Sequence, residues 1–117
     1  MLIAIPVTSN DHTMKVDERF GRCNYFAIYD VEHNSFTYVE NKAKDTTTGT
    51  GIQAASIVVD EKVEVVLAPR VGMKAMNVFD LAKITAYETQ GEDVLDNIQK
   101  YKEGTLVALA PSKGKHS

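Results

Sequence analysis

Leu2, Ile3, Ala4, Ile5, Pro6 and Val7 form a nearly continuous apolar run close to the start of the chain. A strand with one wet face alternates apolar and polar residues, whereas a run without alternation marks a strand covered on both faces. The run therefore predicts a central strand inside a layered sheet. Pro6 has no N–H to give a ladder, so pairing is expected to run out near it, where Thr8, Ser9 and Asn10 begin a long polar loop over residues 8–23.

The remaining elements follow from spacing. Residues 25–31 and 35–40 are aromatic and β-branched runs separated by Glu32, His33 and Asn34, which reads as an antiparallel hairpin. Ile52, Ala55, Val59 and Val63 recur at helical spacing and predict a helix over residues 51–61, with Ile57 and Val58 widening its stripe. Residues 63–68 read as a second buried strand, and Ala75, Val78, Phe79 and Ala82 as an amphipathic helix. Residues 84–87 form a short strand. Thr89 and Glu92 resemble a capping box ahead of a helix whose face is Val94, Leu95, Ile98 and Tyr101. Residues 105–110 are either a marginal extra strand or a segment that packs elsewhere. Strand, hairpin, helix, strand, helix, strand, helix is the order of an α/β fold. It predicts a mostly parallel sheet with helices on both faces and one antiparallel strand from the hairpin.

Bulk numbers narrow the function. A chain of 117 residues with 44% hydrophobic content suits one domain, predicted over residues 1–110, with a disordered tail over 111–117. A net charge of −3 and a pI near 5.5 give no basic field for nucleic acid. The single cysteine, Cys23, makes no internal disulfide and fits a reducing cytoplasm. No stretch reaches membrane-spanning length, and the first residues carry neither a cationic lead nor a cleavage pattern.

Chemistry concentrates in Thr46, Thr47, Thr48, Gly49, Thr50 and Gly51, a polar loop that runs into the first helix. Helix N-termini expose unpaired N–H groups and partial positive charge, and glycines let a guest approach the backbone. The stretch is neither a Walker loop nor a full dinucleotide fingerprint, so an ordinary capped helix start and an anion cradle both remain open. In open α/β sheets, ligands gather beyond the carboxyl ends of parallel strands. That rule brings the cradle together with residues 8–23 and 69–72, and with Ser9, Arg19, Arg22, Arg70 and Lys74. Cys23 beside Arg22 is expected to have a lowered pKa and to offer a soft metal ligand, or else to be a small buried residue. His12 falls in the long loop, His33 in the hairpin turn and His116 in the tail. No nucleophile elbow, zinc helix or metal-spaced cysteine cluster exists, and the first strand carries no carboxylate for a metal-dependent nuclease. A non-enzyme is therefore expected.

Arg19-Phe20-Gly21-Arg22-Cys23-Asn24-Tyr25-Phe26, Glu40-Asn41, Gly49-Thr50-Gly51-Ile52-Gln53-Ala54-Ala55 and Arg70-Val71-Gly72 resemble the dinitrogenase iron-molybdenum cofactor biosynthesis family. That family includes NifX-like proteins and the carboxyl-terminal part of NifB-like ones. The resemblance implies a three-layer ribonuclease H-like fold with a five-stranded mixed sheet, without implying nuclease activity. It also implies a carrier of an anionic cluster, of the iron-sulfur, iron-molybdenum or molybdenum-copper sulfide kind, that meets a cofactor-assembly or acceptor protein. Phe20, Gly21, Arg22, Gly49, Gly51, Arg70 and Gly72 would line the site, joined by Ser9, Thr48 and Thr50, with Cys23 as the metal contact. Family members often carry His at the positions of Arg19 and Thr48, so both usual imidazoles are absent here. The cradle of N–H groups and hydroxyls that remains equally suits a regulatory module for a phosphorylated metabolite or nucleotide without metal.

Overall fold

The structure, a computed structural model, describes residues 1–109, so the tail expected at 111–117 lies outside the described residues. Five strands, β1 (Leu2–Val7), β2 (Tyr25–Asp30), β3 (Ser35–Glu40), β4 (Val65–Ala68) and β5 (Thr85–Glu88), form one sheet in the order β3-β2-β1-β4-β5. β2 is antiparallel to both β1 and β3, while β4 is parallel to β1 and β5. Four strands thus share a direction and β2 alone opposes them, the mixed sheet that the hairpin and crossovers predict.

Three helices cover the sheet: α1 (Thr50–Asp60), α2 (Met73–Leu81) and α3 (Val94–Glu103). β1 shows why it must be sandwiched. Its pleat sends Ile3, Ile5 and Val7 into the cluster that holds Val94 and Ile98 of α3, and Ala4 into the cluster that holds Val58 of α1 and Phe79 of α2. Period-two side chains buried on both sides leave no place for a polar residue. Among the described residues, no helix is long and apolar enough to cross a membrane.

Three local expectations are corrected. Pairing does stop short of Pro6 on the β4 side, where the register ends at Ala4 and Val66, but it continues on the β2 side through Val7 and Tyr25. The Pro6 carbonyl instead accepts from Asp17 N at 2.9 Å, so the loop supplies what β4 does not. The helix α3 is not capped by Thr89 and Glu92. Its N-cap is Asp93, whose carboxylate accepts from Asp96 N at 3.0 Å, while the buried Thr89 hydroxyl has no partner among the described residues. The turn before α3 is fixed instead by buried Asn97, which donates to Gly91 O and Asp93 O at 3.1 and 2.8 Å and accepts from Gln90 N at 2.7 Å. Ile52 and Leu95, expected on buried helix faces, are 40% and 63% exposed because each lies at the first turn, outside the packed stripe. After α3 the chain returns to the β5 edge, with Ala108 bridging Tyr87 in antiparallel fashion.

Phe20, Phe26 and Phe79 pack as an aromatic group, with Phe20 centroids 5.2 and 5.5 Å from the other two. This joins the loop after β1 to β2 and α2. Phe79→Ala is expected to destabilise the fold by about 3–5 kcal/mol, read as a lower urea midpoint, because fully buried rings leave cavities that the sheet cannot close.

Candidate functional site

α1 and α2 follow β3 and β4, which run in the same direction, so both helices begin beyond the same edge of the sheet. Each starts at a glycine. Gly49, the N-cap of α1, has φ 67° and ψ 19°, a left-handed conformation that other residues adopt at a cost. Gly72 caps α2 in extended backbone, and neither cap offers a side-chain hydrogen bond. The first helical bonds run from Gln53 N to Gly49 O and from Met76 N to Gly72 O, both 2.9 Å. The N–H groups of residues 50–52 and 73–75 precede those bonds and have no intrahelical acceptor.

The two starts open on one cleft of about 320 Å³, lined by Gly49, Thr50, Gly51 and Ile52 on one wall and Gly72, Met73, Lys74 and Ala75 on the other. Two helix dipoles place partial positive charge there, and Lys74 adds a full one. Behind the α1 wall lies a short 3-10 turn, Phe20–Arg22. A Cβ on Gly21 would come within 3.2 Å of Thr50 Cγ2 and 3.4 Å of Gly51 N. Gly21 therefore permits a close approach that a Cβ would crowd by a few tenths of an ångström, with no unusual backbone angle involved.

The predicted site residues divide. Gly49, Thr50, Gly51 and Gly72 line the cleft, and Gly21 abuts it. Phe20 is core. Thr48 is exposed beside the cleft, its carbonyl accepting from Gln53 Nε2 at 3.5 Å. Ser9 bonds within its own loop, to Asp11 at 3.2 Å and Thr13 at 3.4 Å. Of the four expected cations, Lys74 alone lines the cleft. Arg22 donates to Lys44 O at 2.6 Å, Arg19 forks onto buried Asp17 at 3.1 and 3.0 Å, and Arg70 meets Glu18 at 3.4 Å. Asn41, singled out in sequence only within the resemblance, is fully buried behind the same turn. No pattern in the sequence marks it, since burial of an asparagine depends on distant partners.

Of its two expected roles Cys23 matches the small buried residue and not the soft ligand. It is fully buried, its thiol donates weakly to Phe20 O at 3.4 Å, and its pKa is pushed up to about 12. Burial is the main cause, with the Asp17 carboxylate second. Arg22, expected to favour the thiolate, is turned to Lys44 O. Among the described residues no group of three or more His, Cys, Asp or Glu is placed to hold a metal ion. His12 belongs to a different cavity, of about 620 Å³, with Met14, Phe36, Tyr38 and Val94 on the α3 face.

Comparison with known proteins agrees with this fold. A family model described as dinitrogenase iron-molybdenum cofactor matches residues 1–104. The fold is similar to the apo form of the orange protein from Desulfovibrio gigas, with 28% identity and a TM-score of 0.88 over 94% of this chain and 93% of that one. It is similar also to a Thermotoga protein assigned to NifB, with 34% identity and a TM-score of 0.79 over 92% of each chain. An uncharacterized protein of Methanocaldococcus jannaschii is 28% identical over 109 residues, 91% of this chain and 89% of its own.

The buried thiol has a testable consequence. With its folded pKa raised from an ordinary 9.0 to about 12, Cys23 stabilises the fold fully below pH 9, and that contribution is lost as pH rises toward 12. Native protein at pH 8 is expected to resist iodoacetamide until denaturant is added, and Cys23→Ala to flatten the alkaline fall in melting temperature. Rapid alkylation of the native protein would contradict the burial.

Proposed function

The chain belongs to the dinitrogenase iron-molybdenum cofactor family, matched over residues 1–104, and on that footing we propose that it is a non-enzymatic carrier of an anionic metal–sulfur cluster, or of an iron-molybdenum cofactor precursor. It would work in the cytoplasm and pass its cargo to a cofactor-assembly or acceptor protein. The observation that supports this reading is the joint opening of two helix N-termini, neither capped by a side chain, onto a cleft with Lys74 in its wall.

The donor set suits such cargo in one way and not in another. Backbone N–H groups, the Thr50 hydroxyl and an ammonium can surround the outer sulfur or oxygen atoms of an anion. Each helix end contributes about 0.3–1 kcal/mol at an exposed site, and more as water is excluded. Among the described residues no thiol or imidazole lines the cleft, so those residues do not coordinate metal directly there. A cluster that arrives with its inner ligands complete fits this arrangement. Arg22 and Arg70 are not among the lining residues, and each is engaged by a neighbour, Lys44 O and Glu18.

The same lack of soft ligands favours a second reading, a regulatory module for a phosphorylated metabolite or nucleotide. Anaerobic protein offered molybdate, sulfide and copper, or an isolated cluster, is expected to take up stoichiometric metal and show a visible charge-transfer band. Lys74→Glu should weaken that uptake about tenfold, since it reverses the one full charge among the lining residues, with little change in melting temperature. Absence of both metal and band would reject the carrier, and thermal stabilisation by a nucleotide in air and chelator would select the second reading.

A further inference from the structure

Asn41 closes β3 and begins the connection to α1, and every polar group it owns is used. It is fully buried. Its Nδ2 donates to Gly21 O at 3.0 Å and to Cys23 O at 2.9 Å, and its Oδ1 accepts from Ala43 N at 3.1 Å. Its own N–H donates to Asn24 O at 3.0 Å, and its carbonyl accepts from Lys44 N at 3.3 Å. One planar group thus ties the Phe20–Arg22 turn to the short 3-10 helix Lys42–Asp45 that leads into α1.

We propose that Asn41 is the positioning residue of the cleft, turning the carbonyl oxygens of its supporting wall inward so that N–H groups face the guest. This rests on the reading of the cleft as an anion site. A carbonyl oxygen is the negative end of its peptide dipole, and aimed at an anion it would oppose what the helix ends supply. The carboxamide takes the Gly21 and Cys23 oxygens. The neighbouring Ala43 oxygen is taken by Thr46 N and Oγ1 at 3.1 and 2.8 Å, and the Lys44 oxygen by Arg22 at 2.6 Å. Four carbonyls of this wall therefore have internal donors. Because Gly21 stands against Thr50 and Gly51, the carboxamide that holds Gly21 O also sets the backdrop of the α1 start. Asp at 41 keeps the acceptor for Ala43 N but offers no donors when ionised, and Ser is too short to serve both carbonyls.

The test uses molybdate as the probe, with binding followed by calorimetry and by the backbone amide resonances of Gly21, Gly49 and Gly51. Asn41→Asp and Asn41→Ser are expected to keep the β1 and β5 resonances of the native fold. They should shift those of Gly21 and Gly51, and bind molybdate at least about tenfold more weakly than the unaltered chain. A purely structural asparagine would lower stability without moving affinity in the folded variants. Affinity within about twofold of the unaltered chain, with the Gly21 and Gly51 amides unmoved, overturns the proposal. If both variants unfold, the unaltered chain decides. The Asn41 side-chain amide protons should then exchange as slowly as β1 amides, and exchange as fast as that of exposed Asn24 overturns it. If the unaltered chain binds neither molybdate nor tetrathiomolybdate, the carrier reading fails, while the glycine shifts in Asn41→Asp still judge the positioning role.

Discussion

The pleat of β1 is the constraint from which the rest follows. Ile3, Ile5 and Val7 point to one layer and Ala4 to the other, and all are fully buried. A strand that is dry on both sides must have helices above and below it, and the chain meets this with α1 and α2 on one face and α3 on the other. Because β3 and β4 run alike, the two helices that follow them start at the same edge. The pairing of their N-termini is therefore a product of topology, not of any local motif.

What topology brings together, small residues and hydrogen bonds refine. Gly21 allows the turn after β1 to press against the beginning of α1, and Gly49 adopts the left-handed geometry from which α1 departs. The cations expected to crowd the rim are mostly spoken for. Asp17 grips Arg19, Lys44 O receives Arg22, and Glu18 meets Arg70. The positive character of the cleft is then chiefly that of peptide dipoles, with Lys74 as its one full charge among the lining residues.

Much of this could be read from the chain alone, for reasons that differ by residue. The apolar run at residues 2–7, the hairpin and the glycine loop before α1 announce themselves through local chemistry, and so the element order, the mixed sheet with its central first strand and the glycine start of α1 were legible. Pro6 was half legible, since its missing N–H is a local fact while the loop segment that serves its carbonyl is not. Thr89 and Glu92 had the spacing of a cap, but Asp93 lies one step closer to the first turn and took the role. Cys23 and Arg22 are adjacent in sequence yet point to different surroundings, which neighbour arguments cannot foresee. Asn41 stood out only through the family resemblance, and its role was hidden for the same reason, because its partners at Gly21 and Cys23 lie about twenty residues away in the chain.

Among the described residues the lining of the cleft carries no thiol, imidazole or carboxylate, and this fixes the kind of hold they can exert. For the cargo proposed above, a hold by field, shape and hydrogen bonds would leave no metal–ligand bond to break on departure, so hand-over would need no ligand exchange at a protein donor. Such a hold is screened by dissolved salt and deepens when a second surface shuts out water. On the carrier role proposed above, docking of a recipient would first tighten the grip and then compete for it, which would place retention and release in the encounter and not in the isolated chain.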